Sequence, residues 1–368
     1  MSLSPFMTPD QSRRRRESAR RRRRTRRRVI AVAALALAIA AALVVMALAG
    51  SGGAHGSASA LAHRAHRHAH TTTVVAVALP ARSPSGLPLG KPPLTLAGIG
   101  DIQRDLVHPT FNTPPSAGLL FNLDTGQILW QLHPDTRLRI ASLTKMMTAL
   151  LTVQSAPPDA PVLVTRRAVD MPGSKVGVLP LGRHVRLETM LYGLLLPSGN
   201  DAAVALAEHV AGTVNRFVTR MNAEAAQLGM GCTHYSSPSG YYDQYNFSCA
   251  ADLALLAHVD LQQPRIASIT RTYTAALPFP IHGGRLYLYN NNPLLIYGYP
   301  GLTGLKTGQT EAAGRCLVAT ATRDGVSLGV VLLHSPDPGT QASYLLNRGF
   351  AGVYHQPPVP EPPIPAGE

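Results

Sequence analysis

Apolar runs of strand length lie at both ends of one segment of the chain, and helical patterns lie between them. Near the start, AGLLFNLDTGQILWQ places two apolar runs around D-T-G at 124–126, which is typical of a hairpin turn. Near the end, three strand-like runs follow one another at 301–307, 315–321 and 327–334. The pattern favours an α+β fold with an antiparallel sheet in which the first hairpin pairs with the late strands.

Apolar periodicity between the two groups of strands predicts helices. The predicted helices lie at 141–153, 187–196, 202–210, 214–228 and 250–259, with a closing helix at 344–352. The residues P-S-G-N at 197–200 predict a loop between the second and third helices.

The N-terminal part contains a basic tail and an apolar segment. Residues 1–28 hold twelve arginines against Asp10 and Glu17, so the tail carries +10 of the net charge of +14 and leaves +4 for the rest of the chain. Residues 29–49 have no charge and no proline, and about 20 such residues span about 30 Å of hydrocarbon. Arginines before this segment predict a single-pass signal anchor in the cell membrane, with the tail in the cytoplasm and the rest extracytoplasmic.

Other interpretations of this part stay open. A-L-A at 47–49 resembles the cleavage site of a signal peptide, which would also export the domain. A nucleic-acid-binding arm rests only on the arginine tail, and we expect no nucleic-acid partner. Residues 50–112 are rich in Gly, Ser, His and Pro and predict a flexible linker. Residues 113–355 are predicted to form the folded domain, and residues 356–368 a Pro-rich tail.

The cysteines and histidines lead us to expect no metal and no cofactor. Cys232, Cys249 and Cys316 are too few and too scattered for a zinc site. An exported chain could pair two of them, or all three could be buried thiols. A histidine cluster at 63–70 lies in the predicted linker, where such residues are more often solvated than metal-bound.

Ser142 and Lys145 form an S-x-x-K motif inside the apolar stretch R-I-A-S-L-T-K-M-M-T-A-L. At i and i+3 the two side chains face the same way on a helix. A serine needs a base within hydrogen-bond reach to become a nucleophile, and burial lowers the pKa of a lysine enough for this role. Alone, the motif is weak evidence, because many helices contain it by chance.

Two later motifs make a chance occurrence improbable. Ser198-Gly199-Asn200 places a serine and an amide on the loop between two helices, and Lys306-Thr307-Gly308 follows at the end of a predicted strand. S-x-x-K, S-x-N and K-T-G in this order resemble the active-site set of penicillin-binding proteins and class A β-lactamases.

The resemblance extends over essentially the whole folded part. LYGLLLPSGNDAAVALAEHVAG, FVTRMNAEAAQLGM, SSPSGYYDQYNFSCAADLALLA and NNNPLLIYGYPGLTGLKTGQTEAAGRCLVATA are similar to segments of the serine-type D-alanyl-D-alanine carboxypeptidases, the low-molecular-mass penicillin-binding proteins. This likeness implies a helical cluster on a five-stranded antiparallel sheet. It also implies peptidoglycan stem peptides as substrates, and β-lactam antibiotics as inhibitors.

The same likeness implies a role for each motif residue. Ser142 would attack the carbonyl between two terminal D-alanines, Lys145 would accept its proton, and Ser198 would relay a proton to the leaving nitrogen. Asn200 would orient Lys145 or hold the substrate amide. Lys306, Thr307 and Gly308 would face the bound peptide and its carboxylate. The backbone N–H groups of Ser142 and Gln309 would form the oxyanion hole.

Some departures and alternatives remain. Some relatives have an arginine where Asn291 stands, which could help to bind the terminal carboxylate. A D,D-endopeptidase acting on cross-links would use the same residues. A β-lactamase is disfavoured because no E-x-x-x-N follows the second motif, and a non-catalytic wall-binding protein is disfavoured by the intact motifs.

Overall fold

A computed structural model describes residues 94–242, 244–281 and 284–359. The predicted tail at 1–28, the predicted anchor at 29–49 and the histidine cluster lie outside the described residues. Within the described part, no helix combines the length and the apolar character that crossing a membrane requires.

Five strands form one antiparallel sheet in the order β2-β1-β11-β10-β9, as the likeness implied. These strands are β1 Ala117–Asn122, β2 Ile128–Leu132, β9 Leu302–Thr310, β10 Gly314–Arg323 and β11 Val326–Ser335. The remaining strands form two-stranded sheets: β3 Leu138–Arg139 with β6 Phe247–Ser248, β4 Pro161–Leu163 with β5 His184–Arg186, and β7 Thr274–Pro278 with β8 Arg285–Tyr289. The first hairpin pairs with the last strand of the chain, which confirms the predicted topology and leaves β9 at an edge.

Helices cover both faces of the main sheet. They are α1 Lys145–Ser155, α2 Arg166–Val169, α3 Leu187–Leu195, α4 Asn200–Ala211, α5 Val214–Gln227, α6 Ala250–Leu261, α7 Pro264–Thr270, α8 Pro293–Ile296 and α9 Pro338–Asn347. A short 3-10 helix, Ala141–Thr144, precedes α1, and a π-helical turn, Arg348–Val353, follows α9.

The strands are apolar on both sides because each face of the sheet has its own core. On β1, Leu119 and Phe121 pack into the larger core under α1, α4 and α6, whereas Leu120 points into the smaller core under α9. All six residues of β1 are buried. This two-sided burial gives the strands apolar runs instead of alternation.

Two predicted boundaries are wrong. Residues 94–112, predicted as linker, pack on the domain, since Leu94 and Val107 are buried and the backbone N–H of Gly100 donates to Oε1 of Gln131. The closing helix α9 begins at Pro338, six residues before the predicted start, because the side chain of Asp337 caps it and Pro338 occupies its first turn.

Candidate active site

Ser142 lies on the 3-10 helix that leads into α1, not on the α-helix itself. The turn is made tight by Ala141, whose φ of 47° lies in the left-handed region that side chains other than glycine rarely adopt. The hydroxyl of Thr144 donates to the carbonyl of Ala141 at 2.8 Å. The turn therefore holds Ser142 partly exposed at the mouth of an otherwise buried segment.

Lys145 is fully buried, and its ammonium group has three hydrogen-bond partners. Its Nζ lies 2.8 Å from Oγ of Ser142, 2.8 Å from Oδ1 of Asn200 and 2.8 Å from the backbone carbonyl of Ser239. These three contacts fix the nitrogen beside the serine hydroxyl. The predicted pairing of Ser142 with Lys145 is thus present as a direct hydrogen bond.

Burial lowers the pKa of Lys145 well below its ordinary value of 10.5, because desolvation disfavours the charged form. The positive charge of Lys306 lowers it further, while Asp201 acts in the opposite direction. The lowered pKa favours the neutral amine, whose nitrogen can accept a proton from Ser142.

The S-G-N loop places its serine and its amide differently. Ser198, with a φ of 65°, is nearly buried and lines the cleft in front of Ser142. Asn200 lies behind the cleft wall, at the start of α4, and its Nδ2 donates to the carbonyl of Pro172 at 2.7 Å. Of the two roles expected for Asn200, its contacts favour the orientation of Lys145 over a contact with substrate.

The K-T-G motif lies on the edge strand β9 and points its residues to opposite sides. Lys306 is 2% exposed, and its Nζ donates to the carbonyl of Thr307 at 2.9 Å. Burial lowers the pKa of Lys306 to about 7. Thr307 is accessible and lines the cleft.

Gly308 lets β9 approach the turn that carries the nucleophile. A Cβ added to Gly308 would lie 2.8 Å from the carbonyl oxygen of Ile140 and 3.1 Å from the backbone nitrogen of Ser142. Any side chain would therefore push the strand away. Ser142 and Gln309, the two residues expected to form the oxyanion hole, lie on the two backbone segments that meet at this contact.

These elements surround a cleft of about 380 Å³. Among the predicted site residues, Ser142, Ser198, Thr307, Gly308 and Gln309 line it, whereas Lys145, Asn200 and Lys306 lie buried behind its surface. The structure thus brings all the predicted site residues to one place.

Several groups at the site had no predicted role. Ser174, Tyr297, Arg315 and Asp337 line the cleft, and Ser239 contributes the carbonyl that contacts Lys145. Their sequence surroundings carry no catalytic motif, so only the fold brings them to the site.

Asp201 explains how the loop that carries Ser174 is held. Its carboxylate accepts hydrogen bonds from the backbone N–H groups of Val176 and Gly177 at 2.9 and 3.0 Å. The backbone N–H of Asn200 also donates to the carbonyl of Ser174 at 2.7 Å. The sequence signal for these hydrogen bonds was the acidic residue directly after the S-G-N motif.

Residues 109–337 match the family model for D-alanyl-D-alanine carboxypeptidase. The chain belongs to this family. The family consists of serine hydrolases, in agreement with the contact between Ser142 and Lys145. The five-stranded sheet and its helical cluster are the fold of this group.

Individual relatives agree with the family assignment. D-alanyl-D-alanine carboxypeptidase DacB2 of Mycobacterium tuberculosis is 33% identical over 259 residues, which cover 68% of this chain and 87% of the relative. DacF of Bacillus subtilis is 32% identical over 243 residues, or 64% of this chain, and the match spans 62% of the length of DacF. Other relatives are named D-alanyl-D-alanine endopeptidase.

The crystal structure of the DD-transpeptidase of Streptomyces K15 superposes with a TM-score of 0.62 at 30% identity. The match covers 66% of this chain and 100% of that protein.

Proposed function

We propose that the protein is a D-alanyl-D-alanine carboxypeptidase, which removes the terminal D-alanine from peptidoglycan stem pentapeptides through an acyl-enzyme. The observation that carries the proposal is the 2.8 Å hydrogen bond between Nζ of the buried Lys145 and Oγ of Ser142. Burial lowers the pKa of Lys145, so its neutral form is available as a base.

Acylation begins when Oγ of Ser142 attacks the carbonyl carbon between the two D-alanines. The proton of Oγ passes to Nζ of Lys145 as the new C–O bond forms. The negative charge on the carbonyl oxygen is stabilised by the backbone N–H groups of Ser142 and Gln309; one such donor is worth about 10²–10³ in rate. Asn200 and the carbonyl of Ser239 keep Nζ in place during this step.

Breakdown of the tetrahedral intermediate releases the terminal D-alanine. The C–N bond breaks, and the leaving nitrogen takes a proton through Ser198, which lines the cleft in front of Ser142. Water then attacks the ester carbonyl, and Oγ of Ser142 leaves with a proton. Thr307 faces the terminal carboxylate during acylation, while Lys306 lies buried behind the cleft surface.

Labelling with a fluorescent penicillin tests this function directly, together with release of D-alanine from a soluble stem pentapeptide. We expect the wild type to form a covalent adduct and to release D-alanine, and Ser142→Ala to do neither. Failure of the folded wild type both to become labelled and to release D-alanine would contradict the proposal.

The same residues would serve an endopeptidase that cleaves cross-links, and some relatives carry that name. Rates on a pentapeptide and on a cross-linked dimer separate the two activities. We expect the pentapeptide to be the faster substrate. A preference for the dimer would assign the endopeptidase activity.

We also propose that the apolar segment at 29–49 anchors the enzyme in the cell membrane, with residues 1–28 in the cytoplasm. The arginine tail and the uncharged segment support this orientation. Protease added to intact spheroplasts should digest the catalytic domain. A protected domain would contradict export, and release of soluble enzyme cut near Ala49 would identify a signal peptide instead.

A further inference from the structure

The charges around the cleft are distributed unevenly. Among the described residues that line it, Arg315 is the one with a permanent positive charge, and it is exposed. The other cations of the site, Lys145 and Lys306, are buried behind the cleft surface. Asn291, which is neutral, also lines the cleft.

Strand register places Arg315 close to Thr307. Arg315 on β10 pairs with Gln309 on β9. Two residues further along β10, Leu317 pairs with Thr307. Thr307, Gln309 and Arg315 therefore share one face of the hairpin, with Arg315 diagonal to Thr307. Diagonal neighbours are about 7–8 Å apart at Cα, within reach of a long side chain.

On the opposite face, β9 packs against the turn that carries Ser142. Gly308 lies at this contact, and Nζ of Lys306 donates to the carbonyl of Thr307. A carboxylate that accepts from the hydroxyl of Thr307 on the cleft side therefore lies on the face that Arg315 shares.

The guanidinium group of Arg315 is held but not neutralised. Its Nη1 donates to the carbonyl of Pro336 at 3.3 Å. The other N–H donors of the guanidinium group remain for a ligand. Asp337 lines the same cleft, with Oδ1 accepting from the backbone N–H of Thr340. In the part of the chain that the structure describes, Arg315 forms no ion pair with a carboxylate.

We propose that Arg315 binds the terminal carboxylate of the substrate together with Thr307 and thereby sets the preference for peptides with a free C-terminus. The inference rests on the proposed carboxypeptidase function. It assigns a binding role to a residue outside the three catalytic motifs, at a position where a planar guanidinium can meet a carboxylate with two parallel hydrogen bonds.

The test compares free acids with their neutral counterparts. Cleavage rates are measured by product analysis for a peptide that ends in D-Ala-D-Ala and for its C-terminal amide. The first substrate releases D-alanine and the second releases D-alaninamide. Acylation rates are measured for a penicillin and its methyl ester. The proteins are the wild type, Arg315→Gln, Arg315→Lys and the control Arg183→Gln, which alters an exposed arginine outside the cleft.

We expect Arg315→Gln to lower kcat/KM for the free acid by about tenfold, since a hydrogen bond to a charged group is lost. The rates with the amide and the ester should hardly change. Arg315→Lys should recover part of the preference, and Arg183→Gln should behave as the wild type. Melting temperatures should agree among all four proteins.

An unchanged acid preference in Arg315→Gln would overturn the inference, as would equal losses on acid and neutral substrates. The proposed function fails in a different way, because a folded wild type that is neither acylated nor active refutes it whatever Arg315 does.

Discussion

Replacing Lys306 with Met should stabilise the protein while it impairs activity. Lys306 is 2% exposed, and its burial lowers its pKa from 10.5 to about 7. A change of this size corresponds to about 5 kcal/mol of unfavourable burial for the charged form. Met has a similar length and no charge, so the variant avoids that cost, although it loses the hydrogen bond to the carbonyl of Thr307, worth about 1 kcal/mol.

The effect has a defined dependence on pH. The pKa of Lys306 is lower in the folded state than in the unfolded state, so the folded protein binds fewer protons between about pH 7 and pH 10.5. The stability contributed by this residue is therefore lowest below pH 7 and rises with pH across that window. From about pH 6 to about pH 8, the wild type should gain about 1 kcal/mol of stability from this residue, and Lys306→Met should not.

Urea denaturation at about pH 6 and about pH 8 measures this difference. Lys306→Met should be more stable than the wild type by about 4 kcal/mol at the lower pH, and this difference should narrow by about 1 kcal/mol at the higher pH. The matched control is Lys175→Met, which removes a lysine whose side chain is exposed instead of buried. A less stable Lys306→Met variant with no pH-dependent gap would refute the reasoning.

Three further changes test other contacts of the site and the fold. Asn200→Ala removes one hydrogen-bond acceptor of Nζ of Lys145, so we expect acylation by penicillin to fall at least tenfold and the free energy of unfolding to fall by about 1–3 kcal/mol. An unchanged acylation rate would show that the amide does not position the lysine. Gly308→Ala places a methyl group 2.8 Å from the carbonyl oxygen of Ile140, next to the turn that carries Ser142, so the acylation rate should fall more than tenfold. A variant that is acylated as fast as the wild type would show that the strand can move at no cost. Cys232 and Cys249 form a disulfide and lie 17 residues apart in the chain. Replacing both with Ser should lower the free energy of unfolding by about 3 kcal/mol in denaturant titrations and leave the acylation rate unchanged, whereas slower acylation would connect the disulfide to the cleft.

The order of elements and the motif residues were predictable from the sequence because both depend on local patterns. Apolar periodicity gave the helices near their observed bounds, and D-T-G marked the first hairpin. Ser142 and Lys145 are close in the chain, so helical geometry alone places them side by side. The distant motifs were found through their order along the chain.

The remaining site residues could not be predicted because long-range packing brings them to the cleft. The carbonyl of Ser239 reaches Lys145 from a loop 94 residues away. Arg315 becomes a diagonal neighbour of Thr307 only through the register of two strands. The pairing of Cys232 with Cys249 was left open for the same reason, and Cys316 is buried elsewhere. The early start of α9 at Pro338 carried a local signal, Asp337-Pro338, which the prediction missed.

The pairing of Ser142 with Lys145 is the central claim, and the acylation rate of Lys145→Arg tests it most directly. A guanidinium keeps its proton at accessible pH, so this variant cannot act as the base. Acylation by a fluorescent penicillin and the melting temperature are measured together for the wild type, Ser142→Ala and Lys145→Arg. We predict covalent labelling of the wild type only, with all three proteins folded. Acylation of Lys145→Arg at the wild-type rate would contradict the account.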